Sequence, residues 1–198
     1  TYLQKARSQG DPRFLGRAKR LLQSWPESKM TPRLMVLRAT LRQSLHQFDA
    51  ARTDLNRVLA SNTPDQHPQA LLTLATINLV QGRYQEAEDA CNRLKSARPG
   101  IMAASCQAQG AARTGNAERA YRTLGNQVEN RRRRLGPDER AWVESILGDL
   151  AAQLGLPAAE SHWRRAIGLA PDDLYTRAQL ADWLIRKQRY DEALELTD

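Results

Sequence analysis

The chain has 198 residues, of which 41% are apolar and 26% are charged, and this globular composition excludes a collagen-like, low-complexity or fully disordered protein. Aromatic residues make up only 6%, and the predominance of Leu and Ala among the apolar residues favours helices over a β-sandwich. The net charge is +8, and residues 1–60, which hold 12 basic and 4 acidic side chains, carry all of it.

Six short blocks of similar sequence recur along the chain, each between two amphipathic segments. Representative blocks are GRYQEA at residues 82–87 and QRYDEA at residues 188–193. Apolar residues on both sides of each block follow the i, i+3, i+4 spacing of an amphipathic helix, so each block predicts a turn between two helices. The blocks end, in chain order and at spacings of 33, 36, 33, 39 and 34 residues, at Ala18, Ala51, Ala87, Ala120, Ala159 and Ala193.

This repeated pattern resembles the tetratricopeptide repeat (TPR) family, whose unit is an antiparallel helix pair of about 34 residues. The third unit carries the pattern most completely, with family residues at Leu71, Leu74, Ala75, Gly82, Tyr84, Ala87, Cys91, Leu94 and Pro99. The resemblance implies an all-α protein, a right-handed solenoid of about six helix-turn-helix repeats in a single domain, because one helix pair cannot bury its apolar face without a neighbour. The predicted repeats lie near residues 1–30, 31–66, 67–100, 101–137, 138–172 and 173–198.

Two predicted core positions depart from the family pattern. Arg38 in the second repeat and Gln107 in the fourth stand where the first helix of a unit, helix A, has Leu in the family. Either the register slips locally or a polar group enters the core, and a buried Arg needs a hydrogen-bonded partner. Asp54, on the following helix, is the candidate partner of Arg38.

The sequence predicts neither an enzyme nor a cofactor or metal site. His46, His67 and His162 lie in different predicted repeats without a partner at metal-ligand spacing, and nucleophile-elbow, phosphate-binding and metalloprotease motifs are missing. The Asp172–Asp173 pair follows Pro171 and precedes a helix. There we expect it to cap free N–H groups rather than to act in acid/base chemistry.

Basic residues suggest an alternative function. The basic N-terminal third could bind a polyanion or nucleic acid through its positive field. The run Arg131–Arg134 could grip phosphate groups, or it could lie solvated at a helix C-terminus, where cations complement the helix dipole. We favour the solvated run, because Asp138, Glu139 and Glu144 follow it closely. We also favour a protein partner over nucleic acid, which would call for a continuous basic stripe with stacking aromatic residues.

The family resemblance implies a protein or peptide partner. In TPR proteins several helix A positions line a concave groove, which can hold an extended or helical peptide. Trp142 and Tyr175 could equally pack between repeats, and the basic set with which chaperone-binding members clamp a terminal carboxylate is missing. The partner-binding residues implied by the resemblance are Leu72, Thr76, Gln109, Arg113, Trp142, Asp149, Tyr175, Asp182 and Arg186.

The two cysteines become neighbours if the repeats are aligned with the family. Cys91 then lies on the second helix, helix B, of the third repeat, and Cys106 lies on helix A of the fourth, which stacks against it. The resemblance therefore allows either a disulfide or two buried free thiols. A disulfide would indicate an oxidising compartment. Similarity to uncharacterised exported bacterial TPR proteins suggests the bacterial periplasm or envelope, with the cytoplasm as the alternative.

The ends of the sequence carry two further expectations. Solenoids usually have a polar capping helix at each end, and neither end shows one. We therefore expect a fragment of a longer protein, whose uncovered apolar residues, such as Leu3 and Leu194, promote self-association. No segment approaches the roughly 18 apolar residues of a membrane-spanning helix.

Overall fold

The computed structural model describes residues 1–131 and 134–196, and within them it contains twelve α-helices and no β-strand. The helices are α1 (Tyr2–Gln9), α2 (Arg13–Gln23), α3 (Pro32–Ser44), α4 (Phe48–Leu59), α5 (His67–Val80), α6 (Tyr84–Ala97), α7 (Ile101–Arg113), α8 (Ala117–Arg131), α9 (Pro137–Gln153), α10 (Ala158–Leu169), α11 (Leu174–Arg186) and α12 (Tyr190–Leu194). Short 3₁₀ turns precede α3 and α5. The predicted all-α fold of helical repeats is confirmed.

Two compact units divide the chain, one formed by residues 1–6 and 10–110 and the other by residues 7–9 and 111–198. In each unit, helices that follow one another in the chain pack together, as α3, α4, α5 and α6 do in the first unit and α8 to α12 do in the second. The largest core side chains of the first unit include Leu55, Val58, Ile77 and Leu94, and those of the second include Trp163, Leu180 and Leu184. The assignment of a single domain and the bounds of the repeats stay predictions.

A residue in the left-handed conformation follows the first helix of each of the six repeats, beginning with Gly10 after α1, which has a φ angle of 61°. It is always the first residue of the predicted block, since the blocks begin at positions 10, 46, 82, 115, 155 and 188. Gly82, Gly115 and Gly155 have φ angles of 71°, 88° and 69°, and His46 and Gln188 adopt the same conformation with φ angles of 57° and 61°. Glycine enters this region without a Cβ clash, so the three glycines end their helices at little cost. The blocks therefore predicted the turns between the helices correctly.

A disulfide joins the second helix of the third repeat to the first helix of the fourth. The Sγ atoms of Cys91 on α6 and Cys106 on α7 are bonded, and their Cα atoms are 5.5 Å apart. Both side chains are buried in the core of the first unit. In the chain-entropy description, a crosslink across a loop of this length stabilises the fold by about 3 kcal/mol.

The unusual Arg38 enters the core with a matched acid. Its Nε and Nη2 atoms donate to the two carboxylate oxygens of Asp54 at 2.8 and 2.7 Å, and Arg42 Nη1 donates to the same carboxylate at 2.6 Å. Asp54 is only 1% exposed. Arg38 also donates to Glu27, and the hydrogen bonds from Arg38 and Arg57 lower the pKa of Glu27 to about 2. The predicted pairing of Arg38 with Asp54 is confirmed.

Gln107, the second departure from the family pattern, is also satisfied by a polar neighbour. Its Nε2 atom donates to Oδ1 of Asn92 on α6 at 2.8 Å. The side chain is half-buried rather than part of the core. A polar contact between helices of successive repeats therefore stands where the family pattern has an apolar Leu.

Gly148 permits a close helix contact in the second unit. A Cβ atom at this position on α9 would lie 2.5 Å from Cδ1 and Nε1 of Trp163 on α10. No carbon atom can approach an aromatic ring so closely, so only glycine lets the indole reach its buried place. Trp163 is 3% exposed and meets Trp183 of α11 edge-to-face, with 6.0 Å between the ring centroids.

Gly148→Ala should lower the free energy of unfolding by about 1–3 kcal/mol, because the new Cβ overlaps the Trp163 indole. Gly125→Ala is the matched control, since Gly125 is also helical but a Cβ there meets no atom within 4 Å. That substitution should be neutral, or stabilising by up to about 1 kcal/mol. Urea denaturation of both variants measures the difference, and equal stabilities would contradict the close contact.

Asp54→Asn should lower the free energy of unfolding by about 3 kcal/mol, because two guanidinium groups then lose their buried counter-charge. Asp49→Asn makes the same chemical change at a side chain that is 89% exposed and paired with Arg52. This control should cost less than about 1 kcal/mol. Thermal or urea denaturation distinguishes the two, and a small effect of Asp54→Asn would mean that the cluster adds little to stability.

Candidate functional site

The three predicted groove residues of the first unit lie on α5 and α7. Leu72 is half-buried and packs against the core, and the exposed Thr76 one turn later donates its hydroxyl to the Leu72 carbonyl at 2.9 Å. Gln109 on α7 is half-buried and donates to the carbonyl of Ser105 at 3.4 Å. Leu72 and Thr76 therefore lie on one face of α5, and the Gln109 side chain is hydrogen-bonded to the backbone of its own helix, α7.

The other six predicted groove residues lie in the second unit. Arg113 is the last residue of α7, and its side chain is exposed. Trp142 and Asp149 are half-buried on α9 and, being seven residues apart, share one face of that helix. The remaining three, all exposed on α11, are Tyr175, Asp182 and Arg186.

Asp149 and Tyr175 are joined directly. The Tyr175 hydroxyl donates to Oδ2 of Asp149 at 2.9 Å, and Nε1 of Trp163 donates to Oδ1 at 3.1 Å. Gln179 Nε2 in turn donates to the Tyr175 hydroxyl at 2.8 Å. These bonds tie α9, α10 and α11 together and hold the Tyr175 ring in place, although 57% of this residue is exposed.

Burial controls the protonation of this pair. It raises the pKa of Asp149 above 3.8, and this effect exceeds the lowering by the hydrogen bonds from Tyr175 and Trp163 and by the charge of Arg113. Burial and the neighbouring Asp149 raise the pKa of Tyr175 to about 12. The Tyr175 phenol therefore keeps its proton at neutral pH and acts as a hydrogen-bond donor to the carboxylate.

Asp182 and Arg186 form a separate exposed pair one turn apart on α11. Asp182 Oδ2 and Arg186 Nη2 are 2.8 Å apart. An exposed pair at this helical spacing contributes about 0.3–0.5 kcal/mol. Both side chains therefore remain free to exchange this contact for one with a ligand.

Asp173 caps the N-terminus of α11, two residues before Tyr175. Its Oδ1 atom accepts from the Tyr175 backbone N–H at 3.2 Å, and its Oδ2 atom accepts from the Thr176 hydroxyl at 2.6 Å. The capping role predicted for the acidic pair is confirmed at this residue. Asp173 also places a second negative charge near Asp149 and contributes to the raised pKa there.

A buried polar cluster that the sequence did not reveal connects α8, α9 and α10. Nδ1 of His162 lies 2.7 Å from Glu144 Oε2, and Nε2 lies 2.9 Å from the Tyr121 hydroxyl. Arg165 Nε also donates to Glu144 Oε2 at 3.1 Å. Burial alone raises the pKa of Glu144, but the hydrogen bonds from His162 and Arg165 outweigh it and hold the pKa below its ordinary value. Only the spacing of three residues between His162 and Arg165 hinted at this cluster.

The basic N-terminal third is partly neutralised. Its four acidic residues all pair with arginine: Asp11 with Arg13, Glu27 with Arg38 and Arg57, Asp49 with Arg52, and Asp54 with Arg38 and Arg42. Five basic side chains of α1 and α2 form no ion pair with a described residue, namely Lys5, Arg7, Arg17, Lys19 and Arg20. Two of them, Arg17 and Arg20, line a depression of about 460 Å³ together with Tyr2, Leu21 and Ser24.

Other candidate features are limited to the described part of the chain. Arg132 and Arg133 of the predicted arginine run lie outside it, and Arg131 is the last residue of α8. In residues 1–131 and 134–196, no group of three or more His, Cys, Asp or Glu side chains could hold a metal ion. No helix of these residues is long and apolar enough to cross a membrane.

Comparison with known proteins agrees with this architecture. The sequence model of the tetratricopeptide repeat family matches residues 36–100. The crystal structure of TTC0263, a thermophilic TPR protein of Thermus thermophilus, superposes with a TM-score of 0.69 at 23% identity, covering 84% of this chain and 88% of that one. The chain has the tetratricopeptide repeat fold. The family resemblance predicted from the repeated blocks is thus confirmed.

A second structural match extends over the same share of the chain. MamA of Desulfovibrio magneticus RS-1, from residue 41 to its end, gives a TM-score of 0.50 at 18% identity and covers 84% of this chain and 90% of that one. No curated protein matches the sequence. The TPR fold generally serves as a scaffold for protein–protein interaction, and this is the function class that the fold indicates.

Asp149→Asn should change how the stability of the protein depends on pH. Because the pKa of Asp149 is raised in the folded chain, the folded state binds this proton more tightly than the unfolded state. The stabilisation by the protonated carboxyl is complete below 3.8 and is lost as the pH rises through the folded pKa. The amide does not titrate, so the free energy of unfolding of Asp149→Asn should rise relative to wild type as the pH is raised from below 3.8 to neutrality.

Urea denaturation over this pH range measures the effect, with Asp172→Asn as the control. Asp172 is an exposed carboxylate of the same unit, just before α11. Its variant should follow the wild type at every pH. A stability difference for Asp149→Asn that stays flat or falls with rising pH would contradict the raised pKa.

Proposed function

We propose that the chain is a non-enzymatic scaffold that binds a peptide or protein partner on the first helices of its repeats. The observation that carries this proposal is the Asp149–Tyr175 pair on α9 and α11. It presents a large exposed aromatic ring whose hydroxyl is already held by two hydrogen bonds. A side chain that is held before binding loses little conformational freedom on binding, and tyrosine is enriched where interfaces gain most of their energy.

The surroundings of this pair suit a peptide ligand. Trp142 lies half-buried on the same face of α9 as Asp149, and the weak Asp182–Arg186 pair lies further along α11. The surface thus combines partly covered aromatic side chains with polar groups that accept and donate hydrogen bonds. Such a mixture provides both the apolar area and the directional contacts by which grooves recognise peptides.

The first unit offers a more apolar face. Leu72, Thr76 and Val80 follow one another at four-residue spacing on α5, and Val80 is 64% exposed. An exposed valine gains free energy when a partner covers its apolar surface. We therefore include this face of α5 in the proposal as a second contact region.

The buried polar cluster supports a structural role rather than catalysis. The side chains of Glu144 and His162 are only 7% and 12% exposed. A general acid or base has to reach its substrate directly or through one water molecule. The enclosure of these two groups by α8, α9 and α10 therefore favours a role in joining helices.

The disulfide supports an extracytoplasmic location. We propose that the chain works in an oxidising compartment, such as the bacterial periplasm or envelope. Disulfides persist there, whereas the cytosol keeps thiols reduced. In the cytoplasmic alternative, Cys91 and Cys106 are two free thiols at the same buried positions.

A specific observation favours polyanion binding as the second candidate function. Arg17 and Arg20 of α2, which form no ion pair with a described residue, line an open depression. Neighbouring cations of this kind attract polyanions, and the attraction weakens with salt. Retention of the chain on heparin that is lost with added salt, and lost again in Arg17→Ala/Arg20→Ala, would favour this candidate.

Selection of peptides tests the main proposal. A displayed library of random peptides is selected on the intact chain, and the affinities of the selected peptides are then measured by calorimetry. Tyr175→Ala should weaken binding by about tenfold or more, since a central aromatic contact is worth well over 1 kcal/mol. The matched control is Tyr190→Ala, because Tyr190 on α12 is equally exposed at 58% but lies on the second helix of its repeat.

The proposal fails if no peptide is selected. It also fails if Tyr175→Ala binds the selected peptides as well as the wild type does. Loss of binding in Tyr190→Ala, with Tyr175→Ala unaffected, would move the binding surface to the other helices of the repeats.

A further inference from the structure

The charge balance of Asp149 differs from that of the other enclosed carboxylates. Asp54 is paired with Arg38 and Arg42, and Glu144 is paired with Arg165. Asp149 receives hydrogen bonds only from the neutral indole of Trp163 and the neutral phenol of Tyr175, and it forms no ion pair with any described residue. Within the described residues, the fold therefore supplies a paired counter-charge for the buried Asp54 and Glu144 but none for the half-buried Asp149.

A half-buried carboxylate without a counter-charge leaves a negative potential at the surface. Two neutral donors satisfy part of its hydrogen-bonding capacity, but they do not neutralise its charge. Arg113 lowers the pKa of Asp149 through its field, yet burial and the nearby charge of Asp173 leave that pKa raised. A cation that reaches Asp149 gains an ion pair with a carboxylate that is already partly desolvated.

The aromatic group beside the carboxylate suits the same ligand. The Tyr175 ring is exposed, and its hydroxyl is fixed on Asp149, so the ring borders the carboxylate. Lysine and arginine side chains place their apolar stems on such rings while the charged head reaches a polar group. Carboxylate and ring together match a long basic side chain better than they match a small cation.

We propose that Asp149 and Tyr175 form a subsite for a Lys or Arg side chain of the bound peptide. This inference rests on the peptide-binding function proposed above and adds the chemistry of the ligand. The ammonium or guanidinium group donates hydrogen bonds to the free lone pairs of the Asp149 carboxylate, and the stem of the side chain covers the Tyr175 ring. Arg113, on the neighbouring helix end, opposes the incoming cation through its charge.

The selected peptides test this subsite directly. They should share a Lys or Arg, and replacement of that residue by Ala should weaken binding to the wild-type chain by about tenfold or more. Asp149→Asn should weaken binding of the original peptides to a similar extent, and Asp172→Asn should leave it unchanged. Arg113→Ala should strengthen binding, because the repulsion between the two cations is removed.

The outcomes separate this inference from the proposed function. Selected peptides without a common basic residue, or equal affinities for the wild type and Asp149→Asn, would overturn the subsite and leave peptide binding intact. Weaker binding in Arg113→Ala would also overturn it, because Arg113 would then be an attractive contact. If no peptide is selected at all, both proposals fail. The Ala-substituted peptides and Arg113→Ala keep the test valid even if Asp149→Asn is poorly folded.

Discussion

The limited area that one helix pair can bury governs this structure. Within each compact unit, the two helices of a pair bury their apolar stripes against each other and against a neighbouring pair, so the core is a series of local contacts. Neighbouring helices therefore have to approach one another closely, and small residues, including glycine, lie where they touch. Gly148 under the Trp163 indole is the sharpest example, because a single added carbon atom there has no room.

The same local packing determines which buried carboxylates need a counter-charge. A carboxylate between two helices of a pair is enclosed by side chains of this chain, so it is stable only with a counter-charge from the same pair or the next. Asp54 and Glu144 meet this condition through arginines. Asp149 is only half-buried on α9, and within the described residues it accepts hydrogen bonds from the neutral Trp163 and Tyr175 side chains without an ion pair, so a ligand can complete its surroundings. Full burial with a paired arginine thus distinguishes the structural carboxylates Asp54 and Glu144 from Asp149, which we propose for binding.

The surface that we propose for binding inherits its rigidity from the packing of the second unit. Tyr175 belongs to the last described repeat, while its hydrogen-bond acceptor Asp149 belongs to the repeat before it. The donor Trp163 is a core residue whose place depends on Gly148. Packing inside the helix pair therefore positions the groups that face the ligand, and a substitution in the core changes the surface through this chain of contacts.

The sequence alone determined the helical repeats and the turns between them, and it named Asp54 as the candidate partner of Arg38. These features depend on residues close in the chain, whose relation follows from helical periodicity and from the similarity of the blocks. It also brought the two cysteines onto neighbouring helices, but it left their state open. Only the tertiary structure joined Asp149 to Tyr175 and His162 to Glu144, and only it bonded Cys91 to Cys106. The physical reason is that periodicity tells which face of a helix a side chain occupies, whereas contacts between helices depend on the distance and angle at which those helices pack.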